Sequence, residues 1–238
     1  MSQKILITGG TGLVGQKLIN LLKQDGHDIA ILSRSKKTDS RFRTFTWDYQ
    51  NDHLEEGALD GIDTIIHLAG AGVADKKWSA ERKNEILESR TQTSRLLYDR
   101  LKEGNHNVKT VITASGVGLY GSDNAPTMMT ESSPVGSDFL AHVTDAWEAS
   151  TRRFSELGIR VVQLRIGIVL SNDGGALPKI LEQPVAAPLG KGNQYMSWIH
   201  IDDLVGLIRF FLERNETKGP YNIVGPRPVT NRELPKKL

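Results

Sequence analysis

A doubly wound parallel α/β sheet with a small C-terminal lobe is the fold this sequence predicts, and three observations carry the prediction. An apolar run collapses into glycines near the N-terminus, through Ile5-Leu6-Ile7-Thr8-Gly9-Gly10-Thr11-Gly12-Leu13-Val14-Gly15. Strand-like and helix-like patterns then alternate through most of the chain. The length of 238 residues, with no internal repeat, suits one large domain or one domain with a small lobe.

The first strand is the apolar run itself, and Gly10, Gly12 and Gly15 have the G-x-G-x-x-G spacing. Such glycines allow a tight turn, close backbone approach to a diphosphate, and close packing of helix on strand. An amphipathic helix over 13–23 follows, and its first N–H groups face negative charge. Segments 28–33, 41–47 and 63–68 read as the second, third and fourth strands. A long helical pattern over 79–102 carries Ile86, Arg90, Thr93 and Leu97 at helical spacing. A fifth strand over 108–114, a helix over 138–157, a sixth strand over 160–168 and a helix over 202–213 complete the alternation. The polar stretch 36–43 and the glycine- and proline-containing stretch 116–134 read as loops. This order implies parallel strands joined by right-handed crossovers, with ligands at the strands' carboxyl ends.

Composition excludes several functions. Thirty basic against 28 acidic side chains leave a formal charge of +2, so no overall field argues for nucleic acid or an anionic membrane. The absence of cysteine removes disulfides, thiolate catalysis and cysteine metal sites, and fits a reducing compartment. Lys4 and a core strand stand where a signal peptide needs an apolar stretch ending in small residues, and no apolar run approaches a membrane span. The expected compartment is the cytoplasm. No histidines and carboxylates have a spacing such as H-E-x-x-H, and no metal is expected.

The end of the second strand selects between nicotinamide cofactors. An Asp or Glu there accepts hydrogen bonds from ribose hydroxyls and repels a 2′-phosphate. This chain has Ser33 and Arg34, followed by Lys36 and Lys37; Asp28 begins the strand, too early to reach the ribose. Hydroxyl, guanidinium and ammonium donors suit a phosphate dianion, so NADP(H) is the expected cofactor. A solvated basic loop is the plain alternative.

Several motifs together resemble the extended short-chain dehydrogenase/reductase superfamily. Thr8, Gly9, Gly12 and Gly15 match its TGxxGxxG turn, and His67-Leu68-Ala69-Gly70 looks like its fourth-strand motif. Ser115 with Leu119-Tyr120-Gly121 looks like the end of its fifth strand. The run from Ser197 to Leu204 and Gly219-Pro220-Tyr221-Asn222-Ile223 look like its later lobe motifs. More narrowly, Ser33-Arg34-Ser35, Thr46-Trp47-Asp48, Trp78, Ser89-Arg90, Trp147-Glu148 and Gly190-Lys191-Gly192-Asn193-Gln194 resemble its atypical "epimerase family" branch. Members of that branch are labelled nucleoside-diphosphate-sugar epimerases or cell-division inhibitors. The resemblance implies a cofactor lined by Ser33, Arg34, Leu68 and Ala69, with Glu85 and Arg90 reaching it from the next helix and Val169 from the sixth strand. The expected organisation is a Rossmann-type NADP-binding domain over 1–170 with the 201–214 helix packed on it. The rhythm of strands and helices breaks from about Gly174 to His200 and again after Gly219, so 171–200 and 215–238 would form the substrate-side lobe. Relatives usually run several dozen residues further, so the stop after Leu238 is expected to cut into that lobe.

The same resemblance locates a chemical gap. Superfamily enzymes normally use Ser or Thr with a Tyr acid/base and a Lys one helical turn on, in the helix after the fifth strand. Here that helix reads Phe139-Leu140-Ala141-His142-Val143-Thr144-Asp145-Ala146-Trp147-Glu148, with neither residue. Tyr98 and Lys102 have the spacing but lie on the preceding helix, remote from the expected nicotinamide. The remaining candidates are Ser115, Tyr120 and His142, with Tyr120 more readily structural. His67 and His200 read as hydrogen-bonded structural residues. Gln194, Ser197 and Trp198 are candidates to face substrate. The expected function is an NADP(H)-binding epimerase or oxidoreductase acting on a small carbonyl- or hydroxyl-bearing molecule, a nucleotide sugar among the candidates, and working as a homodimer. The competing expectation is an NADP(H)-binding regulator or redox sensor without turnover.

Overall fold

The computed structural model describes residues 2–35, 42–122, 127–182 and 192–234. Its strands are β1 (Lys4–Thr8), β2 (Asp28–Ser33), β3 (Arg43–Asp48), β4 (His53–Leu54), β5 (Thr64–His67), β6 (Thr110–Gly116), β7 (Arg160–Ile166), β8 (Ile168–Leu170), β9 (Tyr195–Met196), β10 (Trp198–His200), β11 (Gly219–Ile223) and β12 (Val229–Thr230). The helices are α1 (Leu13–Gln24), α2 (Ala80–Glu103), α3 (Phe139–Arg152), α4 (Ala176–Leu181) and α5 (Ile201–Glu213). The main sheet runs β11-β7-β6-β5-β1-β2-β3-β4, parallel throughout except for the β3–β4 pair.

Alternation along each strand builds the two layers. Ile5 and Ile7 turn to one face, where they pack with Ile31, Ile66 and Ile112 against Leu18 and Leu22 of α1 and Leu204, Ile208 and Leu212 of α5. Leu6 turns to the other face and packs with Leu32, Ile65 and Val111 against Leu96, Leu97 and Leu101 of α2 and Phe154. Sequence order reverses about β1, which has β2 on one side and β5 on the other. A crevice outside the carboxyl ends of those strands is where a doubly wound sheet receives ligands.

The sheet departs from the sequence reading at several points. The run over 160–168 is broken at Gly167, where the Ile168 N–H turns to the Ser197 carbonyl at 2.7 Å, an approach so close that a Cβ on Gly167 would lie 2.6 Å from that oxygen. The chain leaves the main sheet at that point and resumes as β8, paired in parallel with β10. Residues 219–223, assigned to the lobe with the rest of 215–238, form instead the edge strand β11, in parallel register with β7. Gly219 with φ +83° and Pro220, which lacks an N–H, suit an edge. The fifth strand lies at Thr110–Gly116 rather than 108–114, and β3 at Arg43–Asp48 rather than 41–47. The helix over 138–157 is α-helical only to Arg152, then tightens into a 3-10 turn over Arg153–Leu157.

The lobe beside the crevice contains the β8–β10 pair, the antiparallel β9–β12 pair and α4. Its own small core joins Leu170, Leu177, Val229 and Leu234, with Ile168, Ile180, Met196 and Trp198 against it. Among the described residues no helix is long and apolar enough to cross a membrane.

Candidate cofactor and substrate site

The glycine turn is built by steric necessity. Gly9 has φ +71°, and a Cβ on it would sit 2.9 Å from the backbone carbon of Leu68. A Cβ on Gly15 would lie 2.3 Å from the Gly9 oxygen and 2.7 Å from the Gly10 Cα, so helix α1 can start against the turn only with glycine there. The Gly12 N–H donates to the Gly9 carbonyl at 3.0 Å, closing the turn. Gly12 is the N-cap residue of α1 and supplies no side-chain acceptor. The first-turn N–H groups of Leu13, Val14 and Gly15 therefore stay available to an anion. Thr11 flanks them, and its carbonyl accepts from Gln16 Nε2 at 2.8 Å.

Two strand ends flank this turn. Ser33 ends β2 one residue beyond the Thr8–Leu32 register pair, and Arg34 stands exposed after it. Lys36 and Lys37 lie outside the described residues. On the other side, Thr8 Oγ1 accepts from the N–H groups of Leu68 and Ala69, each at 3.1 Å, and lies 2.8 Å from His67 Nδ1. That hydroxyl staples the end of β5 to the end of β1. His67 Nε2 in turn lies 3.2 Å from Ser94 Oγ, whose proton goes to the Arg90 carbonyl at 2.8 Å. This fixes the tautomer: Nε2–H donates to Ser94, and Nδ1 accepts from Thr8. Burial pushes the His67 pKa down to about 4, so the ring is neutral and structural.

Arg90 packs under the end of the β5 turn. A Cβ on Gly70 would meet its guanidinium carbon at 3.1 Å, and Arg90 Nη1 donates to the carbonyls of Ala71 at 3.0 Å and Ile86 at 2.9 Å. The guanidinium lies 4.9 Å from the Trp147 ring centroid, and burial pushes its pKa down to about 10. Glu85 is exposed and pairs with the buried Arg82, whose hydrogen bond holds its carboxyl below the usual range. Val169, in β8, arrives from the far side. A Cβ on Gly175 would contact Leu13 Cδ2 at 3.1 Å and the Val169 oxygen at 3.9 Å. The glycine turn thus approaches Leu68 and Ala69, Gly70 approaches Arg90, and Gly175 approaches Leu13 and the Val169 carbonyl.

At the carboxyl end of β6, Ser115 is 6% exposed and its hydroxyl donates to Glu148 Oε1 at 2.7 Å. Glu148 is clamped by Arg165, with Nε to Oε1 at 2.8 Å and Nη2 to Oε2 at 2.9 Å. The pair is buried, with 7% of the Arg165 and 2% of the Glu148 side chain exposed. Arg165 Nη1 also donates to the Tyr120 hydroxyl and the Glu131 carbonyl, both at 2.9 Å, and Tyr120 donates to Asn222 Oδ1 at 2.6 Å. Burial opposes the Arg165 charge, but the hydrogen bonds with Glu148 and Tyr120 outweigh it and raise its pKa. Tyr120 is therefore a strut between β7 and β11.

His142 does not join this group. The buried face of α3 carries Ala141, Thr144, Trp147 and Glu148, and the helical period turns His142 to solvent. His200 caps α5, its Nδ1 accepting from the Asp202 N–H at 3.3 Å. Gln194 and Ser197 are exposed on the lobe, while Trp198 is half-buried and donates to the Arg227 carbonyl at 3.2 Å. Neither Glu148 nor Arg165 stands among the sequence-derived site residues. The available signal was a charge inside an apolar strand, in Arg-Val-Val-Gln-Leu-Arg-Ile, because a buried Arg needs a buried partner.

The crevice and strand order define an α/β protein of the dinucleotide-fold class. The chain belongs to the NAD dependent epimerase/dehydratase family, whose sequence profile matches residues 5–224. It is 35% identical over 229 residues to an epimerase family protein of Staphylococcus aureus, covering 95% of this chain and 76% of that one. A human epimerase family protein solved with NADPH superposes with a TM-score of 0.85 at 30% identity, covering 97% of this chain and 77% of that one. A nucleoside-diphosphate sugar epimerase from Corynebacterium glutamicum gives a TM-score of 0.86 at 34% identity over 99% of this chain, which spans about half, 49%, of that larger protein.

Proposed function

We propose that this chain binds NADP(H) and acts as an epimerase- or oxidoreductase-type enzyme on a small carbonyl- or hydroxyl-bearing molecule, with nucleotide sugars as the leading class. One observation carries the cofactor half: the uncapped helix start behind Gly9 and Gly15 lies beside a β2 end that carries Arg34 and no carboxylate. The cradle suits such a group, since the start of α1 has no side-chain cap and its N–H groups are left to an anion. The backbone N–H groups of Leu13, Val14 and Gly15 would take the diphosphate, and Ser33 and Arg34 would take the adenosine phosphate. Leu68, Ala69 and Gly70 would pass their backbone beside the ribose, with Arg90 and Val169 toward the nicotinamide. When bound, a nicotinamide cofactor supplies hydride transfer. The human relative solved with NADPH and the sugar epimerase from C. glutamicum support this reading.

Titration of the protein with NADPH and NADH tests it directly. NADPH is expected to bind at least about tenfold tighter, and Arg34→Ala to weaken NADPH by roughly ten- to a hundredfold while leaving NADH little changed. Equal binding of the two in the parent protein would reject the assignment.

A second reading, a binding protein without turnover, has its own support. Helix α3 presents no Tyr–Lys pair, and the Ser115 proton is directed at Glu148. Tight NADPH binding with no absorbance change across a panel of carbonyl compounds and nucleotide sugars would favour it.

A further inference from the structure

We propose that Glu148 sets the hydrogen-bond polarity of Ser115, so that this end of the crevice accepts a hydrogen bond from a ligand hydroxyl and disfavours a carbonyl at the same point. The proposal rests on the reading of the crevice as the substrate site, but its first test needs no ligand.

A serine hydroxyl has one proton and two lone pairs. Ser115 directs its proton at Glu148 Oε1, 2.7 Å away. Reversing that bond would require a protonated Glu148, and Arg165 opposes it by donating to both carboxylate oxygens at 2.8 and 2.9 Å. An ionised carboxylate only accepts, and a hydrogen bond to it is about twice as strong as one between neutral groups. A ligand carbonyl, itself only an acceptor, would compete with that carboxylate for one proton. A ligand hydroxyl can instead donate to the Ser115 lone pairs without disturbing the buried pair. Tyr120 does not supply a substitute proton, because its hydroxyl donates to Asn222 and accepts from Arg165. Glu148 is thus a positioning residue acting through Ser115, and the ligand class it selects bears an alcohol at this point.

Neutron diffraction from deuterium-exchanged crystals of the full chain should place the Ser115 deuteron on the line to Glu148. In Glu148→Leu the acceptor is gone and the serine proton is free to reach a ligand. Cyclohexanol and cyclohexanone, measured by ligand-observed NMR, then read the polarity. The parent protein is expected to prefer the alcohol by about tenfold, and both Ser115→Ala and Glu148→Leu to abolish the preference. Should Glu148→Leu fail to fold, the parent neutron map and Ser115→Ala, which keeps the buried ion pair, still decide. A parent deuteron pointing away from Glu148, or an alcohol preference that is absent or unmoved by Ser115→Ala, would overturn the proposal. Failure of NADPH to bind, with the Ser115 deuteron directed at Glu148, would instead sink the cofactor reading alone.

Discussion

His67 lies fully buried beneath the glycine turn, between Thr8 and Ser94, with the edge of Trp47 at 6.1 Å between ring centroids. Its ordinary pKa of 6.5 falls to about 4 because burial disfavours the imidazolium. Above about pH 6.5 both folded and unfolded chains carry a neutral ring, and the histidine adds no pH dependence. As the pH drops toward 4 the unfolded chain takes up a proton that the folded chain refuses, so stability is lost across that window, by roughly 3 kcal/mol. Urea unfolding at about pH 7 and about pH 4 should therefore show a smaller acid loss for His67→Gln than for the parent. Equal losses would place the proton elsewhere. Sequence alone marked His67 as a structural histidine in an apolar strand. Its partners were not legible, because Thr8 and Ser94 are ordinary polar residues until the sheet and α2 bring them together.

Gly15 decides how α1 meets the sheet. Its missing side chain lets the first turn of the helix rest on the Gly9 carbonyl, and no rotamer can relieve a clash that involves Cβ and backbone. Gly15→Ala is expected to destabilise the protein by roughly 1–3 kcal/mol through overpacking and to weaken NADPH binding, because the turn must shift. Chemical unfolding and cofactor titration of the same variant check both effects; an unchanged midpoint would mean that the turn yields freely. At this scale most of the fold was legible, since period-2 and period-3.6 patterns are local properties of the chain. The misreadings fell where neighbours overrule pattern. Ile166, Gly167 and Ile168 look like one strand, but the close approach of Ser197 divides it. Gly219 and Pro220 read as part of the lobe, but β7 offers them an edge.

In the whole molecule, sheet and lobe meet beside the glycine turn, where Gly175 admits Leu13 beside Val169. A ligand that bridges both parts stabilises them together by mass action. NADPH at about a hundred times its dissociation constant should add roughly 2.7 kcal/mol and raise the thermal midpoint by about 5–10 °C, with a smaller rise for NADH at the same concentration. Scanning calorimetry checks this, and a shift larger for NADH would contradict the role of Arg34. The alternation of strand and helix, the glycine cradle and the basic end of β2 were determined by the sequence alone, because each depends on residues adjacent in the chain. Only the tertiary structure decided that Ser115, Glu148 and Arg165 form one buried array, that Tyr120 braces Asn222 across 102 positions, and that His142 turns to solvent. A buried charge is stable only beside its partner, and which residues become partners is settled by strand order and helix rotation rather than by spacing along the chain.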